Sequence, residues 1–212
     1  MIRAFGAAAA GLMLLATLSG KAAHADAAAI TPKGEWLAHQ LDQMGVETKW
    51  IAGAHIDWET GLPDDETEIL PGRHTHCSAF VASAAKKLGV YILRPPQHGQ
   101  VLLANAQNEW LASEGASQGW RPVDGPLEAQ NLANSGMLVV ASYHNHRDSR
   151  PGHIAIVRPS DKGEQQVASE GPEVIQAATV NSASTSVRAG FAGHRHAWED
   201  NEIDYYAHAI RE

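Results

Sequence analysis

Cysteine is almost missing: Cys77 stands alone among 212 residues. No disulfide can close within one chain, so the thiol is a link between molecules, a buried inert group or a free reactive one. Positive charge is also scarce, with 16 Lys and Arg against 24 Asp and Glu and a formal charge of −8. That balance argues against a nucleic-acid partner and against electrostatic binding to anionic lipid. Beyond the first 25 residues no segment is apolar enough to span a membrane, and neither internal repeats nor low-complexity linkers occur. The length suits one domain.

The one long apolar run, from about Ala4 to Leu18, follows a positive charge at Arg3 and precedes Ala23-His24-Ala25. It is shorter than the ~20 residues of a membrane-spanning helix. A charged start, a short apolar stretch and a small-x-small site predict a secretory signal peptide over residues 1–25. The mature chain, 26–212, is then an exported protein, periplasmic or secreted. Loss of Arg3 and Lys21 with the leader takes its charge from −8 to −10. In an oxidising compartment a lone thiol is at risk, which makes an inert role less comfortable.

Helices dominate the first part of the mature chain. "ITPKGEWLAHQLDQMG" offers Thr31 as cap, Pro32 at the first helical position and Gly45 as the end, with Trp36, Leu37, Leu41 and Met44 at helical spacing. The turn-rich segment that follows predicts a long loop with at most one short strand. "CSAFVASAAKKLG" predicts a central helix from Cys77, lined with small residues and closed at Gly89. Two further helices are expected in "QVLLANAQNEWLASEG" and "GPLEAQNLANSG". After Gly136, "MLVVASYHNH", "GHIAIVRPS", "EQQVASEG" and "PEVIQAATV" read as four short strands separated by turn chemistry. "NSASTSVRAGFAGHRHAWED" reads as a loop and a short helix. Helices first and strands second is the α+β pattern, with N-terminal helices packed on a small antiparallel sheet.

A cysteine at a helix start has a chemical use. Orphan N–H groups and the positive end of the helix dipole favour a thiolate, as does a nearby imidazole, and the same N–H groups can hold an oxyanion. The best partner is His153, at the first residue of a strand behind a Pro-Gly turn. A third group should orient the imidazole. If "HIAIVRP" and "EQQVASE" form a hairpin, Glu170 falls opposite His153; Gln176 and Asn181 are the competing orienters.

"CSAFVA" at the helix start, "GMLVVA" from Gly136 to Ala141 and "GHIAIV" from Gly152, in that order, resemble the CHAP and NlpC-type amidases of the papain-like superfamily. The resemblance covers roughly Arg73 to Ala178. It implies a papain-like fold over 26–212, with Cys77 as nucleophile and His153 as general base. Glu170 is the orienter on the CHAP pattern, and Gln176 on the NlpC spacing. It also implies hydrolysis of an amide or peptide bond, often in peptidoglycan, through a thioester and with no metal or organic cofactor.

Three H-x-H pairs, His74/His76, His144/His146 and His194/His196, carry a rival expectation: an exported metal-binding protein using zinc or copper. Their ligand spacing is not that of a metalloenzyme motif. His74 and His76 have another reading, as imidazolium groups that lower the thiol pKa. A papain-like domain used only for binding is the third possibility.

Overall fold

The computed structural model describes residue 1 and residues 28–64, 74–147, 149–194 and 196–211. The expected signal peptide lies, Met1 apart, outside the described residues. Helix α1 spans Pro32–Asp42, and the Thr31 side chain accepts from the Gly34 N–H, as its position in the sequence predicts. Helix α2 is Cys77–Lys87 and α3 is Leu103–Ser113. Strand β1, Arg121–Val123, precedes α4, Gly125–Asn134. Next come β2, Leu138–Tyr143, β3, His153–Val157, and helix α5, Glu164–Glu170. The chain continues through β4, Glu173–Gln176, β5, Ser182–Ser186, the short helix α6, Val187–Gly190, and β6, Asp204–His208.

The six strands form one sheet in the order β1-β6-β2-β3-β4-β5, antiparallel at every pairing. Both faces are covered, which is why β2 and β3 read as unbroken apolar runs rather than alternating ones. Leu138, Val140, Ile154, Ile156 and Ile175 pack with α1 and α2 on one face. Val139, Ala141, Ala155, Val157 and Val174 pack with α4 and Phe191 on the other. The small residues of α2 let it lie close over β3; Ala79, Ala82 and Ala85 are all buried. Phe80 anchors its far side, edge-on to Trp50 at 5.2 Å, and full burial of such a ring stabilises by about 1.5–3 kcal/mol.

The α+β expectation holds, with one exchange of element type. "EQQVASE" is α5, not a strand. Glu, Gln and Ala favour helix, and Gly171, at φ 80°, ends it. The exchange removes the hairpin that set Glu170 opposite His153. Three strands outside the expected set complete the sheet: β1, β5 and β6. None of the helices among the described residues is long and apolar enough to cross a membrane.

Candidate functional site

Cys77 is the first residue of α2 and is 4% exposed. Its sulfur lies against the N–H groups of Ile154, Ser78 and Cys77 itself and near the Thr75 hydroxyl, all of which favour the thiolate. Burial opposes them and is larger, so the thiol is pushed above its ordinary value. The expectation of a thiolate made by the helix start is therefore corrected: in this closed arrangement the thiol is neutral. His76, the residue before it, adds no positive charge. Its Nε2–H donates to the Ala54 carbonyl at 2.9 Å, and burial pushes its imidazole below the usual value.

His153 opens β3 and is 3% exposed. Its Nε2 is 2.8 Å from Gln176 Oε1. A carboxamide oxygen only accepts, so Nε2 carries the proton. Burial pushes this imidazole below its ordinary value, with the Gln176 bond opposing. The ring is then neutral with its lone pair on Nδ1, the form a general base needs. Phe191 meets it edge-on at 4.6 Å, and His194 stacks on it at 5.5 Å and 20° between planes. His194 is itself lowered to about 4, by burial first and by His153 second. Gly190 gives Gln176 its room, since a Cβ there would stand 2.7 Å from Oε1.

The two side chains meet the start of β3 from opposite faces of the sheet. Pairing of β3 with β4 runs through Ile156↔Ile175 and Val157↔Val174, and toward His153 the two strands are bridged by the His153–Gln176 bond instead. Cys77 meets β3 from the α2 face, at the N–H of Ile154. The His153 ring turns to the opposite face, where Phe191 belongs to the second core. Among the described residues no hydrogen bond joins the thiol to the imidazole. A cavity of 280 Å³ lies over the start of α2, lined by His55, Ile56, Thr75, His76, Ser78 and Gln100 among others. Another, of 370 Å³, lies behind His153 and includes Phe191, His194, Arg188 and Trp198 in its wall.

Of the three candidate orienters, only Gln176 meets the imidazole. The Glu170 carboxylate sits at the end of α5, 2.9 Å from Lys162 Nζ and bonded to Gln166, which corrects its expected place beside His153. Asn181 donates to the carbonyls of Val46, Lys49 and Trp50 and pins that loop. The H-x-H pairs are dispersed. His144 pairs with Glu109, His146 with Glu202, and His194 with the His153 ring. Among the described residues no three His, Cys, Asp or Glu side chains gather as a metal site.

Phe191 stands outside the sequence-based site, and His194 belongs to it only as half of an H-x-H pair, not as a neighbour of His153. The only local signal is an aromatic residue and a histidine three apart in "GFAGH", and what joins them to His153 is contact across the fold. No protein-family model matches the chain, and no curated protein matches it.

Proposed function

We propose that the protein is a papain-like cysteine hydrolase that cleaves an amide or peptide bond, with peptidoglycan peptides as the favoured substrate class. The observation that carries this reading is the His153–Gln176 bond. A buried neutral imidazole is held in the tautomer that leaves Nδ1 basic, on the residue next to Ile154, whose N–H the Cys77 sulfur meets from the other face of the sheet. The order of elements agrees: a cysteine opening a helix on an antiparallel sheet, a histidine opening a strand and an amide on the next strand.

In this reading substrate enters over the start of α2, and the imidazole turns toward the thiol as its wall of Phe191 and His194 gives way. His153 Nδ1 takes the Cys77 proton, and the sulfur attacks the carbonyl carbon. The N–H groups of Cys77 and Ser78 hold the oxyanion. The imidazolium returns its proton to the leaving amine, which leaves a thioester on Cys77. Water, deprotonated by His153, releases the acid and restores the thiol. Export agrees with a cell-wall substrate, on the signal-peptide reading of residues 1–25.

Purified peptidoglycan, incubated with wild type, Cys77→Ala and His153→Ala and followed by mass spectrometry and amine release, tests the reading. Wild type is expected to expose new amines, in chelator as well as without it. Each variant is expected to lose at least about 10²-fold in rate. Undiminished release by Cys77→Ala would refute it.

A further inference from the structure

Helix α3 carries three amides inside the molecule. Asn105 and Asn108 are each 6% exposed and Gln107 is fully buried. Buried amides are retained where their hydrogen bonds hold something in place. Asn105 Oδ1 accepts from the N–H of Gly152 at 2.7 Å and of Asn145 at 3.2 Å, and its Nδ2 donates to the Arg150 carbonyl at 3.0 Å. One side chain thus ties both limbs of the β2–β3 connection, ending at the residue next to His153. Gly152 is what permits this approach: a Cβ there would stand 2.5 Å from Asn105 Oδ1 and closer still to the Tyr143 carbonyl oxygen.

Gln107, two residues on, projects roughly 200° around the helix from Asn105. Its Nε2 donates to the Ser78 carbonyl at 3.1 Å and to the Leu93 carbonyl at 2.9 Å. Ser78 is the residue next to Cys77, so this contact holds the first turn of α2. Asn108 Nδ2 reaches Ser142 Oγ at 3.0 Å and fixes α3 to β2.

We propose that Asn105 and Gln107 are positioning residues, and that α3 sets the nucleophile and the base relative to each other by gripping one residue beside each. The proposal rests on the cysteine-hydrolase reading. Asn105 acts through His153, and Gln107 acts through the start of α2. Neither touches the thiol or the imidazole in any hydrogen bond among the described residues. A shift of about 1 Å at a reacting group is enough to lower a rate by roughly 10²-fold, which is the scale on which such clamps act.

The test is the rate of Cys77 alkylation by iodoacetamide at pH 7, with melting temperature measured alongside. The variants are Asn105→Ala, Asn105→Asp and Gln107→Met, each alone and combined with His153→Ala. Asn105→Ala is expected to slow alkylation about tenfold or more when His153 is present and to change nothing in the His153→Ala background. Asn105→Asp keeps the acceptor for Gly152 and Asn145 and should recover most of the rate. Gln107→Met carries the test should the Asn105→Ala variant fail to fold. Gln107→Met should slow alkylation in both backgrounds, because it acts on the cysteine side.

Equal effects of Asn105→Ala in both backgrounds, or a lowered melting temperature with an unchanged rate, would overturn the proposal. So would a Gln107→Met rate equal to wild type. If wild type and His153→Ala alkylate at one rate, the cysteine-hydrolase reading fails and takes the positioning role with it. If those two differ while Asn105→Ala and Gln107→Met both match wild type, the positioning role alone fails.

Discussion

Gln176 and Gly190 govern one hydrogen bond from two sides. The Gln176 oxygen fixes the His153 tautomer at 2.8 Å, and the bare Cα of Gly190 leaves space for that oxygen. A methyl group at Gly190 must displace the amide, because its nearest contact is the very atom that His153 uses. Gly190→Ala is therefore expected to free the imidazole and lower His153-dependent alkylation of Cys77 by about tenfold, the rate equivalent of one hydrogen bond. Imidazole nitrogen shifts in NMR should show a mixture of tautomers in the variant and Nε2–H alone in wild type. A single unchanged tautomer would show that Gly190 has no hold on the site. At this scale Cys77 and His153 are legible in the sequence, because each opens an element and stands in a motif. The choice of Gln176 over Glu170 and Asn181 is not. It depends on whether seven residues coil or extend, which residue chemistry beside His153 does not reveal.

Helix α5 explains that choice and supports its own prediction. Its C-terminal carboxylate, Glu170, meets the buried ammonium of Lys162 at 2.9 Å, as does Glu173 at the start of β4, and Lys162 also donates to the Gly171 carbonyl at 3.2 Å. The cation closes the turn between α5 and β4 and holds the two carboxylates together. Lys162→Met should leave them facing each other and destabilise the fold by about 2–3 kcal/mol. That is less than the ~3–5 kcal/mol of a wholly buried broken pair, since Glu170 is about one-third exposed. Denaturant unfolding measures this, and a loss below about 0.5 kcal/mol, the range of an ordinary surface change, would contradict it.

Elements with strong local signals were legible: Thr31 and Pro32 announce α1, and the apolar runs announce β2 and β3. Strand β5, "SASTS", has little apolar character because it lies at the sheet edge, and β1 is a three-residue edge strand containing Pro122. Neither could be separated from loop by periodicity. The amides of α3 were visible only as polar residues within an otherwise apolar helix.

Over the whole molecule, the last strand is the least local. Strand β6 comes from the C-terminal segment yet enters the sheet between β1 and β2, with Tyr205 and Tyr206 facing opposite cores. Pairing between distant segments is set by the closing of both cores, so no short window of sequence announces it. The same closure brings "GFAGH" over His153 and shuts the site. It also sets the charge state of Cys77 and His153, since burial outweighs the helix start at Cys77 and leaves both thiol and imidazole neutral. In the proposed reaction the pair therefore acts by proton transfer from sulfur to imidazole, not from a standing thiolate.

The pH dependence of Cys77 alkylation by iodoacetamide, in wild type and His153→Ala, tests that claim most directly. A neutral imidazole accepts the proton and a protonated one does not. Wild type should therefore react at pH 7 and lose that reactivity as pH falls through an imidazole pKa depressed below the usual ~6.5. His153→Ala should lack this limb and react only as pH rises beyond the ~8.5 of an ordinary thiol, because burial raises Cys77. At pH 7 the two rates should differ by about tenfold or more. Superimposable profiles would contradict the account, for they would mean that His153 takes no proton from Cys77.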